Sequence, residues 1–209
     1  DELLISSGSN ADYYCHISEM TDDNIRAEID SIEEEGRELG IKVWLFQGLP
    51  KGDKMELIIQ KAVELGAYSV VPVETKRCVV KLDEKKAAKK TARWQQIAES
   101  AAKQSKRMLI PEVKKAMSWK EAIAFAKELD VLLIPYELAK GMKETREILA
   151  AIEPGQSVGI FIGPEGGFEE EEVQAAMEAG AKPVTLGKRI LRTETAGMTM
   201  LSILMFTLE

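Results

Sequence analysis

The chain has a single histidine, His16, and only two cysteines, Cys15 and Cys78. That is too little for a His-rich metal site, and two cysteines so far apart fit neither a zinc knuckle nor a disulfide scaffold. No metal is therefore expected, and a reducing, cytoplasmic compartment is the natural one. Long apolar runs are also missing. The longest, residues 198–208, is interrupted by Thr199, Ser202 and Thr207 and falls well short of the roughly 20 residues that span a bilayer. A soluble protein with no membrane partner is expected. The chain opens at Asp1 with neither a basic n-region nor an apolar h-region, which points to no signal peptide and to a natural N-terminus lying upstream. With 45% hydrophobic and 30% charged residues among 209, it has ordinary globular composition, enough for one large domain or two smaller ones.

Positive charge is in deficit overall, at a net −7, but it is unevenly placed. Residues 51–120 carry 17 Lys+Arg against 8 Asp+Glu, leaving 11 against 27 in the rest of the chain. Such a split suits a basic polyanion-binding surface on an acidic body, and it equally suits a solvated helix face.

Hydrophobic patterning divides the chain in two. Residues 2–6, 12–18 and 24–30 read as short β-strands separated by turn residues, too few to close a barrel. An acidic, glycine-punctuated stretch, 33–40, reads as a linker. From residue 41, strands and helices alternate, the signature of a parallel sheet covered by helices. Strands are expected at 42–47, 69–73, 131–135, 157–162 and 183–186, with a short extension at 78–81. Helices are expected from Met55 to Gly66, over 83–107, 119–129, 144–152 and 169–179, and from about Glu194.

Four segments could carry chemistry. Ile162-Gly163-Pro164-Glu165-Gly166-Gly167 joins a strand to a helix, but Glu169, Glu170, Glu171 and Glu172 open that helix and would repel a phosphate. Neither a P-loop nor a G-x-G-x-x-G pattern is present, which disfavours ATP and NAD. Leu186-Gly187-Lys188-Arg189-Ile190-Leu191-Arg192-Thr193-Glu194 also joins a strand to a helix, with Thr193 as the expected N-cap. Both loops belong at the carboxyl ends of parallel strands, where such sheets bind ligands. Lys51 and Lys54 flank Asp53, the expected cap of the next helix. Finally Arg77, Lys81, Arg93, Trp94, Gln104 and Arg107 line the basic segment, where arginine suits phosphate and Trp94 suits either stacking or core packing.

In this order and spacing, the segments 49–56, 77–83, Arg93-Trp94, Gln104-Ser105 with Arg107, 162–168 and 186–196 resemble the bacterial ribosomal RNA small-subunit methyltransferase E family of the SPOUT superfamily. The pairing of GPEGG with LGKRILRTETA is the most specific part. Three positions depart from the family pattern: Lys103 stands where relatives carry Glu, Cys78 where they carry Ser, and Glu169 where they often place a Ser/Thr cap.

The resemblance implies an α/β SPOUT domain over 41–209 with a trefoil-knotted parallel sheet, preceded by a partial PUA-like β-barrel for RNA over 1–36. About the first forty residues of that barrel would be missing. It implies a homodimer through the knot region that uses S-adenosyl-L-methionine to methylate N3 of a uridine in 16S rRNA of the small ribosomal subunit. The cofactor pocket would be walled by Ile134, Pro135, Tyr136 and Glu137, by Ile162, Gly163, Pro164, Gly166 and Gly167, and by Leu186, Gly187, Ile190, Leu191, Thr193 and Glu194. RNA contacts would fall to Lys51, Lys54, Arg77, Lys81, Arg93, Gln104, Arg107 and Arg189. Loss of the imide proton calls for a cation, which points to Arg192 as the electrostatic catalyst and Glu165 as a positioning group or proton acceptor. A SPOUT enzyme acting on another RNA such as tRNA, and a non-catalytic RNA-binding assembly factor, are the alternatives.

Overall fold

A computed structural model describes residues 2–6, 8, 11–33, 36–136 and 141–208. Its first three strands, β1 (Glu2–Ser6), β2 (Asp12–Met20) and β3 (Ile25–Glu33), form an antiparallel sheet in the order β1-β2-β3. The β2 and β3 strands outrun the pattern because the hairpin closes late. Thr21 N–H donates to Asn24 O at 2.8 Å, and the Thr21 hydroxyl accepts from Asn24 N–H at 3.0 Å. The strand register shifts at Tyr14/Cys15 and between Ile17 and Glu19, which breaks the clean alternation a sequence reading relies on.

A seven-stranded sheet follows, built from β4 (Lys42–Gly48), β5 (Ser69–Glu74), β6 (Glu112–Val113), β7 (Met117–Ser118), β8 (Val131–Pro135), β9 (Ser157–Ile162) and β10 (Ala181–Val184). Its order is β10-β8-β9-β4-β5-β6, with β7 also on β5, and the paired strands are parallel throughout. Since all run the same way, the loops after β4, β8, β9 and β10 gather at one edge.

Helices cover both faces. In β4, Val43 and Leu45 face one core with Ile58 of α1 (Lys54–Glu64), Trp94 of α2 (Glu84–Gln104), Leu149 of α4 (Met142–Ala150) and Met200 of α6 (Thr193–Leu208). Phe46 faces the other core with Ala122 of α3 (Trp119–Ala126) and Val173 of α5 (Glu170–Glu178). This period-two alternation of apolar residues on both faces is what a sandwiched parallel strand requires. Trp94 is buried in the first core, so packing, not stacking on a base, is its role.

Several expected elements shift. Residues 78–81 do not extend β5 but run as irregular chain after a turn at 75–78: Cys78 N–H bonds Thr75 O at 3.1 Å, and its thiol lies 3.2 Å from the Thr75 hydroxyl. The basic helix α2 stops at Gln104, three residues before the expected end. Arg107 N–H reaches Ala102 O and Lys106 N–H reaches Lys103 O, a Schellman closure in which Lys106 takes the left-handed seat at φ 56° that glycine usually occupies. Strand β10 starts and ends two residues early, directly after Gly180 (φ 98°) closes α5. The two-residue strands β6 and β7 are too short to leave a periodic signal.

Candidate active site at the carboxyl edge of the parallel sheet

The end of β4 is polar where the rest of the strand is apolar. Gln47 is fully buried, and its amide donates to Gly48 O at 3.0 Å and to the Thr193 hydroxyl at 2.8 Å. Thr193 in turn donates to Gly163 O at 2.6 Å. Thr193 therefore does not cap α6 as expected; it begins the helix, and its hydroxyl stitches two loops together. Gln47 was not singled out in the sequence, although an amide inside an otherwise apolar strand is the signal that marks it.

Next to this neutral relay lies a charged one. Lys54 Nζ stands 2.9 Å from Glu165 Oε1 and 3.6 Å from Glu194 Oε2, and Lys51 N–H donates to Glu165 Oε1 at 3.1 Å. Burial pushes the Glu165 carboxyl up, but the hydrogen bonds from Lys54 and from the Lys51 N–H outweigh it and hold the group below the usual carboxylate range. The same bond to Glu165 raises Lys54, so the pair stays ionised around neutrality. Asp53, the expected cap of α1, makes no side-chain capping bond.

The 163–168 loop is packed as closely as backbone allows. A Cβ on Gly48 would come within 2.6 Å of Pro164 Cδ, and one on Gly163 within 3.0 Å of Gly167 Cα. Arg77 braces this loop from outside, donating to Gly166 O at 2.7 Å and to Glu169 at 2.9 Å. The buried Glu172 carboxylate accepts from Lys76 N–H and from Glu169 N–H at 2.8 and 2.9 Å. The acidic helix start is thus partly a brace for the preceding loop.

The remaining residues read in the sequence separate into groups. Ile134 and Ile162 are buried in the two cores, so their side chains are taken up by packing. Pro135 and Tyr136 are half-buried at the end of β8, with Tyr136 N–H on Val184 O at 3.0 Å; Glu137 lies outside the described residues. Leu186, Gly187 and Leu191 are half-buried in the loop before α6, with Gly187 at φ 108°, whereas Ile190 stands 93% exposed. Arg189 and Arg192 are exposed on that loop, as are Lys51 and Lys81 on theirs and Gln104 at the end of α2. Arg93 forms a two-pronged bond with Glu56 at 2.5 and 2.8 Å. Arg107 leaves the RNA-facing set altogether: its side chain is 5% exposed, paired with Glu38 and bonded to the carbonyls of Val63 and Ala67. Its position, past the left-handed turn at Lys106, drives it inward.

Comparison with known proteins gives the chain its relatives. The family model described as RNA methyltransferase domain matches residues 37–205. The ribosomal RNA small subunit methyltransferase E of Bacillus subtilis is 38% identical over 212 residues, covering all of this chain and 83% of the relative. That of Aquifex aeolicus is 35% identical, covering 92% of this chain and 80% of the relative. A crystal structure of the Neisseria gonorrhoeae ribosomal RNA small subunit methyltransferase E bound to S-adenosyl methionine is 32% identical and superposes with a TM-score of 0.81, over 99% of this chain and 83% of that one.

Proposed function

The chain belongs to the ribosomal RNA small subunit methyltransferase E family, and from that premise we propose that it methylates N3 of a specific uridine in 16S rRNA of the small subunit, with S-adenosyl-L-methionine as donor. The observation that carries the reading is the near full-length superposition on a relative with S-adenosyl methionine bound. The lining fits such a ligand. Gln47 Oε1 is a buried acceptor with no hydrogen-bond donor among the described residues, Glu194 Oε2 is a buried carboxylate oxygen that takes no hydrogen bond although the Lys54 ammonium stands 3.6 Å away, and the nearby start of α5 is acidic. A surface rich in acceptors suits a cationic, amino-bearing ligand and disfavours a phosphate.

When bound, S-adenosyl-L-methionine supplies an electrophilic methyl group. The chain's own task is chiefly to hold uridine N3 in line with it, because placement supplies most of the rate in a simple displacement. The loops at 134–136, 162–167 and 186–194 form the cofactor pocket, with Gln47, Thr193 and Lys54 fixing two of them against each other. Arg192 stabilises the negative charge that develops on the uracil as the N3 proton leaves. Glu165, held ionised by Lys54, is a positioning group and, as a carboxylate, a candidate to take the departing N3 proton. Lys51, Lys81, Arg93, Gln104 and Arg189 meet the RNA backbone, together with the lysines of α2.

The proposal extends to architecture. The antiparallel sheet within residues 1–36 belongs to a PUA-like RNA-binding domain, residues 41–209 form the methyltransferase domain, and its carboxyl-terminal part is trefoil-knotted. Two copies join through α6, where Met198, Ser202, Ile203 and the 87% exposed Phe206 line an apolar groove. No helix among the described residues is long and apolar enough to cross a membrane, and the protein works in the cytoplasm, where its RNA is.

The test uses small ribosomal subunits from a strain lacking this methylation, incubated with the protein and cofactor and then digested for nucleoside mass spectrometry. A new 3-methyluridine peak is expected. Cofactor binding without that product would overturn the reading in favour of another RNA, such as tRNA, or of an assembly factor.

A further inference from the structure

The motif Gln104-Ser105-Lys106-Arg107 is only partly absorbed by the proposed function, since its arginine is buried. Its structural partners lie in the segment between the two sheets. Glu38 accepts from the Arg107 guanidinium and from the backbone N–H groups of Met108 and Leu109, the latter two at 3.2 Å. This fastens residue 38 to the methyltransferase body at the point where α2 ends.

The preceding residue faces the other way. Arg37 lies 3.2 Å from Asp12 Oδ2 and 3.3 Å from Glu33 Oε2, and it donates to Lys106 O at 3.2 Å. Asp12 is 1% exposed and accepts from the Ser6 hydroxyl at 2.5 Å, while Glu33 accepts from the Tyr14 hydroxyl at 3.0 Å. One guanidinium therefore gathers carboxylates from β2 and β3, tied in turn to β1, and joins them to the turn after α2. The turn offers its Lys106 carbonyl because Lys106 adopts φ 56°, and Lys106 is the one non-glycine residue at positive φ among the described residues.

From this arrangement we infer that Arg37 and Glu38 form a clasp that sets the orientation of the antiparallel sheet relative to the basic helix α2, making the two a single RNA-receiving surface. Both are positioning residues: neither touches the proposed cofactor site. The inference rests on the RNA-methyltransferase reading above. A buried carboxylate and a buried guanidinium are retained only where they are paired, so the clasp is a specific joint and not a loose linker. Two such joints on adjacent residues, one facing each sheet, leave the sheet little freedom to swing.

The test compares the full chain with its Arg37→Ala and Arg37→Lys variants, chosen because Arg37 is a third exposed and its loss leaves the buried Arg107–Glu38 pair intact. Spin labels at Ser18 on β2 and Glu178 on α5, in spin-diluted samples, report the distance between sheet and body by electron resonance. A narrow distribution is expected for the parent and a broadened or shifted one for Arg37→Ala. With small ribosomal subunits, Arg37→Ala should raise KM about threefold to tenfold, leave kcat and cofactor affinity within about twofold, and be partly rescued by Arg37→Lys. Unchanged distances with unchanged KM overturn the clasp. Failure of the parent to methylate small subunits overturns the functional reading, and the distance measurement then still decides the clasp.

Discussion

Lys54 Nζ lies 2.9 Å from Glu165 Oε1 across 111 residues of sequence, and the same ammonium stands 3.6 Å from Glu194 Oε2. Three segments noticed separately in the sequence thus meet at one charge. The cost is visible locally: a lysine at the first position of a helix opposes the helix dipole, and the two carboxylates offset that penalty. Lys54→Ala should loosen the 163–168 loop against α6 and weaken S-adenosyl-L-methionine binding about threefold to tenfold by calorimetry. Lys54→Ala combined with Glu165→Ala should cost less than the sum of the two; strict additivity would mean the pair does not act as a unit.

The Glu165 carboxyl sits below its ordinary range, so the folded state holds its proton more weakly than the unfolded chain. The stabilisation is therefore complete above the unfolded carboxylate value of about 4.3 and is lost as pH falls through the lower folded value. Cofactor affinity and thermal stability of the parent should fall together on the acid side, and Glu165→Gln should flatten that part of the profile. A Glu165→Gln profile identical to the parent's would count against this assignment.

Gly48→Ala places a methyl group 2.6 Å from Pro164 Cδ and 2.7 Å from Pro164 N, where backbone leaves no room to yield. A loss of about 1–3 kcal/mol is expected, lowering Tm by about 3–10 °C in differential scanning calorimetry. Gly197→Ala is the control: its methyl group would meet nothing nearer than 3.6 Å, so it should be neutral or slightly stabilising inside α6.

Arg192 is exposed on the loop before α6, and no carboxylate among the described residues pairs with it. Arg192→Ala should lower kcat roughly 100-fold to 1,000-fold while cofactor affinity stays within about twofold. The readout is 3-methyluridine formation at saturating cofactor; full turnover in the variant would remove Arg192 from the catalytic role.

Phe206→Glu sets a charge into the apolar groove of α6. Analytical ultracentrifugation should then show a monomer where the parent shows a dimer. An unchanged dimer would place the interface elsewhere on the molecule.

The parallel sheet and its helices were largely legible in the sequence, because a strand buried on both faces is apolar throughout and a covering helix repeats near every fourth residue. Val131–Pro135 and Ser157–Ile162 appear at the expected bounds for that reason. What misled was local chemistry that other parts of the chain override. Thr193 and Asp53 are good capping residues, yet Thr193 is recruited by Gly163 and Gln47, and Asp53 stands at the N-cap of α1 without a side-chain capping bond. Helix α2 looks continuous to Arg107 until the left-handed turn at Lys106 closes it.

By itself, the sequence determined the alternation of strands and helices, the two glycine loops and the excess of basic residues around α2. All of these follow from residue type and short-range spacing. Only the tertiary structure decided which cations face solvent. Arg77, Arg93 and Arg107 look alike in the sequence, but one braces the 163–169 loop, one pairs with Glu56 on α1 and one is buried against Glu38. The physical reason is that an ion pair depends on which segments the strand order brings together. With β9 lying between β8 and β4, carboxylates more than 90 residues away along the chain become nearest neighbours of Lys54 and Arg77.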